Sequence, residues 1–306
     1  MEILFKGTNI YPEISLHTCI HDMYAEKRAD TLYMQFNDTR KRGDKWWASE
    51  KENKISVQLG AGKTGDMYIE SLLPRNGIYE LRAQSVPLHA NNVTNKSWEA
   101  INFLQIAEEI AGRHGLGFRT FGVEENPTYE YVCQTKEDFK FLEERCVYEG
   151  CGFLVYNNDL ILYGESALES ETTRANINVR PDIKYEYDDR SNRAYGSCII
   201  KNAYLEGSYS AEASSRVLEK VVDINITSQA EANRYAKNLL RYENKNMKKA
   251  AIYWDKYLPE LAAGSVVKVS TPAAGTWDGT MFLNHVRHDY VTAKTKLFLR
   301  WTLGGY

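Results

Sequence analysis

Proline and cysteine are both scarce in this chain, at 7 and 5 of 306 residues. A disordered chain shows the reverse balance, rich in proline and poor in rings; here 21 tyrosines stand against the 7 prolines. The cysteines, Cys19, Cys133, Cys146, Cys151 and Cys198, are an odd and scattered set. In a chain long enough to build its own core they read as reduced thiols. No stretch approaches the roughly 18 uninterrupted apolar residues of a spanning helix. Residues 1–7 lack the basic and then apolar pattern of a secretory leader, so synthesis and folding in a cytosol are expected. Charge of one sign is missing too: 38 Lys and Arg oppose 41 Asp and Glu, a net charge of −3. Nothing therefore draws the chain as a whole to nucleic acid or anionic lipid, and partners are to be sought by surface shape.

What is present is globular: 43% apolar, 26% charged and 12% aromatic residues, over a length suited to one large or two to three small domains. The aromatic surplus favours pleated, half-buried surfaces and protein interfaces. Residues 1–92 read mostly as strands. Leu32, Met34 and Phe36 share one face of 31–37, and 54–59 repeats the alternation. Strands at 67–73 and 78–86 flank Pro74-Arg75-Asn76-Gly77, a turn signal. The result is a small all-β unit, read as a barrel.

At 93–168 the pattern becomes α/β. Phe103, Leu104, Ala107, Ile110 and Ala111 lie at helical spacing, with Ser97 as expected N-cap and Gly112 as stop. A second helix is expected from a Thr135 cap to Gly150, with Phe139, Leu142 and Cys146 on one face, followed by a hairpin turning at 157–159. From 169 strands return at 221–226, 250–254, 266–269, 281–288 and 296–303. One helix interrupts them near 228–244, opened by the capping box Ser228-Gln229-Ala230-Glu231.

Catalytic patterns are thin. Gly60-Ala61-Gly62-Lys63-Thr64 ends like a phosphate-binding loop, but Val57 stands where the first glycine belongs and a strand follows, so a hairpin turn is expected. His285 and His288, three apart on a strand, point to opposite faces and do not chelate one ion. Cys133, Cys146 and Cys151 lack zinc spacing. No nucleophile elbow or S-x-x-K motif occurs, a His114–thiol pair would be arbitrary, and the pairs Glu108-Glu109, Glu124-Glu125 and Asp188-Asp189 read as solvated surface. No catalytic residue, cofactor or metal site is assigned. The most unusual stretch is Arg40-Lys41-Arg42-Gly43-Asp44-Lys45-Trp46-Trp47. Basic residues beside paired tryptophans suit nucleic acid or a membrane surface. The mixed signs of Glu50-Lys51-Glu52 favour a protein contact, with Arg40, Arg42, Trp46 and Trp47 as interface anchors. Trp98 and Phe103 are expected to hold the α/β piece together.

Several features now fall in order: a strand ending in Asp38, the Trp46-Trp47 loop, a strand to Leu59-Gly60, Gly65-Asp66-Met67-Tyr68-Ile69-Glu70, and Lys96-Ser97-Trp98. Toward the end come Leu258-Pro259, Ala263-Gly264-Ser265-Val266-Val267-Lys268-Val269, Gly279, Val286-Arg287-His288-Asp289-Tyr290 and Leu297-Phe298-Leu299-Arg300. In this order and spacing, over nearly the full chain, they resemble the phage late control D family. These are baseplate hub proteins of contractile tails, related to the N-terminal half of type VI secretion spike proteins. The resemblance implies a mainly β chain with an α/β insert (α+β): two small tube-like β-barrel domains, 1–92 and 169–306, flanking an α/β domain, 93–168. It implies no enzyme but a homotrimer, a symmetry adapter between a sixfold tail tube and a threefold spike, which needs heterologous surfaces that close into a ring. The expected partners are further copies of the chain, a separate spike protein, since no needle or lysozyme domain follows Tyr306, the tube protein, and baseplate wedge and LysM-type tail proteins. The expected place of the product is the baseplate of a virion or of a tail-like particle such as a bacteriocin. The competing readings are a tail-delivered cell-wall hydrolase, from the scattered His, Cys and carboxylates, and a carbohydrate-binding module using Trp46 and Trp47.

Overall fold

The computed structural model describes residues 1–47, 53–211, 214–222, 224–272, 275 and 277–306, so the run Glu50-Lys51-Glu52 lies outside the described residues. The first part contains β1 (Glu2–Phe5), β2 (Thr8–Asn9), β3 (Ile14–Tyr24), β4 (Thr31–Asp38), the one-turn helix α1 (Asp44–Trp47), β5 (Lys54–Leu59), β6 (Gly62–Lys63), β7 (Met67–Arg75) and β8 (Ile78–Gln84). The middle contains β9 (Val93–Asn102), α2 (Phe103–Arg113), β10 (Gly117–Phe121), β11 (Thr128–Glu137), α3 (Asp138–Glu149), β12 (Cys151–Tyr156), β13 (Asp159–Gly164) and α4 (Glu165–Glu169). Then follow β14 (Ala175–Asn178), β15 (Lys184–Asp189), β16 (Ser197–Lys201), β17 (Glu206–Ser210), β18 (Val217–Val221), α5 (Gln229–Asn244), β19 (Lys248–Trp254), β20 (Val266–Ser270), β21 (Gly279–Asp289) and β22 (Lys294–Trp301). With 48% strand and 19% helix the chain is mainly β.

One hydrogen-bonded sheet runs β15-β19-β22-β21-β3-β4-β8-β7-β5-β1-β2, with β20 and β14 continuing from β21 and β6 from β5. It is curled twice. Phe5 on β1 and Phe36 on β4 lie four strand spacings apart along the sheet, about 19 Å if flat, yet their rings sit 5.4 and 4.8 Å from the ring of Trp47. The sheet therefore wraps around a first core that includes Ile3, Phe5, Met34, Phe36, Val57 and Leu81. Likewise β14 and β15 stand five spacings apart, about 24 Å if flat, although only residues 179–183 join them. Ile177, Val179 and Ile183 sit in one second core with Ile252, Val286 and Leu297. The eleven-residue β3 belongs to both halves: Cys19 faces the first core and Met23 the second.

In the middle part α2 and α3 pack on the ribbon β9–β11 and the sheet β10-β13-β12 around Phe103, Ile110, Leu142 and Leu160. A further core lies under α5, where Tyr235, Ala236 and Leu240 meet Cys198 and Ile200 of the sheet β17-β16-β18. The helix α5 also reaches α3, with the Tyr148 and Tyr235 rings 5.0 Å apart.

Local signals landed well where chemistry is local. Asn76-Gly77 (φ +51° and +83°) and Asn157-Asn158 (φ +49° and +64°) form two-residue hairpin turns. Gly60, at φ +59°, turns β5 into β6, so the phosphate-loop look-alike is a hairpin. Ser228 caps α5 by accepting from the Glu231 N–H at 3.2 Å, while the Glu231 carboxylate accepts from Thr227 N at 2.7 Å. Helix starts differ at two places. Ser97 lies inside β9, and α2 begins six residues later with Asn102 as cap, Gln105 closing a full capping box. Thr135 lies inside β11, and α3 begins at Asp138. In both cases pairing of β9 with β11 holds the residues in the ribbon, so partners 26 to 44 positions away decide the boundary. The strand expected at 221–226 ends at Val221.

Candidate functional site

The Arg40–Trp47 stretch is built around Asp38 at the end of β4. Its carboxylate accepts from the backbone N–H groups of Arg40 and Arg42 at 3.1 and 2.7 Å, from Arg42 Nε at 3.2 Å and from Trp47 Nε1 at 2.9 Å. Burial works to raise the Asp38 pKa, but the hydrogen bonds from Trp47 and Arg42 outweigh it and hold the carboxyl below its usual range. The Arg42 guanidinium lies 3.9 Å from the Trp46 ring centroid and 4.6 Å from that of Trp47, and bonds Glu13 at 2.7 Å. Trp47 is fully buried among Phe5, Phe36 and Tyr79. Trp46 is half-buried, edge-on to Trp47. Of the four residues expected at an interface, Arg40 alone is broadly exposed, its side chain at 65%. Trp47 has no surface to offer a neighbour, because the core behind it takes the whole ring.

A second constellation was not visible in the sequence. Behind α5, Lys245 pairs with Glu26 and Glu165, Arg241 with Glu169 at 2.8 Å and Glu165 at 3.6 Å, and Arg300 with Glu169 at 2.6 Å. Each of these six side chains is at most 9% exposed. Three carboxylates meet three cations, so the cluster is neutral in sum, as a buried network must be. Burial works to raise the Glu165 pKa, but Lys245, Arg300 and Arg241 hold it down. The members come from the β3–β4 turn, α4, α5 with its end, and β22, so the cluster joins all three parts of the chain. Arg241 and Lys245 lie four apart at the end of α5, and Arg300 is an outward position of β22; nothing local tells which carboxylates meet them.

The histidines separate as expected. His285 Nε2 lies 2.6 Å from Asp22, which also takes a two-pronged bond from Arg287 at 2.7 and 3.0 Å. His288 points to the other face, between Thr295 Oγ1 at 2.9 Å and the Leu261 carbonyl at 3.2 Å. Directly across from it His21 contacts the Tyr290 hydroxyl at 3.2 Å. Burial lowers the pKa of His21 to about 3 and of His288 to about 4. His114 pairs with Asp138 at 2.9 Å, beside an Arg113–Asp138 bond of 2.7 Å. All five cysteines are free thiols; Cys133 is exposed, the others buried. Burial raises Cys19, Cys146, Cys151 and Cys198, the reverse of an activated thiol. Among the described residues no group of His, Cys, Asp and Glu converges as a metal set, and no helix is long and apolar enough to cross a membrane. Of the adjacent carboxylates, Glu109 bonds Trp98 Nε1 at 2.9 Å and Arg113, whereas Glu124 and Glu125 are exposed. Trp98 stacks on Phe141 at 5.3 Å, and Phe103 is fully buried, so both hold the middle part together.

No protein-family profile and no curated protein matches the chain by sequence. Solved structures do match it. A tail protein from Neisseria meningitidis superposes with a TM-score of 0.76 at 14% identity, covering 98% of this chain and 95% of that one. The 43 kDa tail protein of prophage MuSo2 from Shewanella oneidensis gives 0.76 at 10%, covering 98% of each. An Escherichia coli component of the type VI secretion system, described as structurally similar to T4 tail proteins, gives 0.64 at 15% over all of this chain and 78% of that one. The chain thus has the fold of phage tail proteins and of a type VI secretion component along its whole length.

Proposed function

We propose that the chain is the structural hub of a contractile-tail baseplate, a homotrimer that adapts a sixfold tail tube to a threefold spike. The observation that carries this reading is the end-to-end match of the fold to tail proteins, 98% of this chain against 95% and 98% of theirs. Two curled β units in one chain support it physically. Three copies present six similar modules on one side while the trimer keeps threefold symmetry on the other. On this reading 1–92 and 169–306 supply the tube-like modules and 93–168 the wall between them. A separate spike protein, the tube protein, and wedge and LysM-type proteins complete the surroundings, and the chain works in the baseplate without catalysing a reaction. Native mass measurement of the chain co-expressed with the spike protein of its own gene cluster tests this. Three copies of each are expected, and a persistent monomer beside a folded spike trimer would sink the reading.

A further inference from the structure

The outer face of the second curled unit carries a groove of about 690 Å³, within the size range of ligand-binding clefts. Strand register assigns its floor. Glu186, Ala251, Phe298, His285 and Tyr24 stand directly opposite one another on β15, β19, β22, β21 and β3, forming one straight cross-strand row. The rows on either side are Lys184–Tyr253–Lys296–Arg287–Asp22 and Asp188–Lys249–Arg300–Phe282.

Two features define what this groove attracts. The first is the ring stack. His285 lies between Tyr24 and Phe298 with centroids 4.4 Å away on both sides and planes within 13° and 8°. The inner ring faces are spent on each other and Arg28 and Lys296 lie over the Tyr24 and Phe298 rings, so the stack turns edges, the positive part of the ring quadrupole, toward the groove. The second is charge. The acids of the rim are already bonded within the chain: Glu186 to Lys184 at 2.6 Å, Asp188 to Arg190 at 2.9 Å, Asp22 to His285 and Arg287, and Glu26 to Lys245. The cations are not so matched. Arg28 lies over Tyr24, Lys296 over Tyr253 and Phe298, and Lys249 is exposed beside them. Among the described residues no carboxylate lies within ion-pair distance of these three, although Lys296 adds to the Lys184 hydrogen bond in lowering the Glu186 pKa. Ring edges and unmatched cations select carboxylates, whereas a base would need a free ring face on which to stack.

We propose that this groove docks an acidic peptide segment of a partner protein, its Asp and Glu side chains reaching Arg28, Lys249 and Lys296 across the Tyr24–His285–Phe298 stack. The proposal rests on the groove and not on the assembly described above.

The test is fluorescence anisotropy of the intact protein with a fluorescein-labelled decaglutamate, and with an oligothymidylate of equal charge as a second probe. Saturable decaglutamate binding that weakens with salt is expected. It should fall about tenfold or more in a Lys249→Glu, Lys296→Glu double variant, since both reversals set like charge against the ligand. Lys268→Glu, an exposed change on β20 outside the groove, should leave it unaltered. Circular dichroism and melting of both variants separate loss of binding from loss of fold, and Lys249→Glu alone serves if the double variant melts early. No binding, equal binding by the double variant, or tighter binding of the oligothymidylate overturns the proposal. Because the assay needs neither spike nor ring, its failure is separate from failure of the hub reading.

Discussion

Trp47 shows how a residue type suited to interfaces is recruited by its own chain. Its indole N–H has a charged partner in Asp38, and its ring bridges β1, β4 and β8 in the first core. Truncating a fully buried tryptophan removes both transfer energy and packing. Trp47→Ala is therefore expected to lower stability in urea unfolding by about 3–5 kcal/mol. Arg40→Ala, which touches Glu13 only across 3.5 Å in the open, should change it by less than about 0.5 kcal/mol. Equal effects would show that the ring does not hold the core. The sequence displayed both residues as one unusual stretch; which of them turns inward depends on β1 and β8 arriving on the same side.

At the scale of elements, the two starts assigned to α2 make opposite predictions. With Asn102 as the cap, Asn102→Ala loses the bond to the Gln105 N–H at 3.0 Å and half of the capping box, costing about 1 kcal/mol. Ser97→Ala, at an exposed strand position, should shift thermal stability within about 0.5 kcal/mol. The reverse order in a melting comparison would move the helix start back to 97. Apolar spacing over 103–111 was legible because it is a property of nine consecutive residues. The boundary was not, since residues 97–99, 101 and 102 pair with residues between 128 and 133, and periodicity within a segment carries no record of a distant strand. Turns fared best: Asn76-Gly77 and Asn157-Asn158 need only their own tolerance of positive φ.

Over the whole molecule, the pairing of β3 with β21 joins the two curled units, and His21 faces His288 across it. Both rings are buried and neutral, with pKa values lowered to about 3 and about 4 from 6.5. Below pH 6.5 the unfolded chain takes up two protons that the folded seam refuses, so stability falls as pH falls. Asp30 works against this. Burial raises its pKa to about 7 from 3.8, so the folded carboxyl holds a proton that the unfolded chain has released, and stability rises as pH falls below 7. Glu143 and Glu149, raised by burial, oppose the histidines in the same way. The seam's share is read by difference: His21→Gln removes about one proton of uptake by the unfolded chain, so its stability should fall less steeply than that of the wild type between pH 6 and 5, by up to about 1.4 kcal/mol per pH unit. Parallel melting profiles of the two proteins over that range would mean that the seam admits protons freely.

By itself the sequence determined the mainly β composition with an α/β insert, the positions of turns, the stripe of α5 and most of that of α2, and the unpaired state of the thiols, whereas in α3 the core ring is Phe141 and the expected Phe139 is only partly buried. All of these follow from residue chemistry and from periods of two or 3.6, which act over a few neighbours. Only the tertiary structure decided that Trp47 is core, that Lys245 answers Glu26 and Glu165, and that Tyr24, His285 and Phe298 form one stack. Those contacts join residues up to 261 positions apart (24 to 285). Their partners are set by strand register and by the closure of a curled sheet, and a one-residue slip of β3, β21 or β22 would turn Tyr24, His285 or Phe298 to the opposite face.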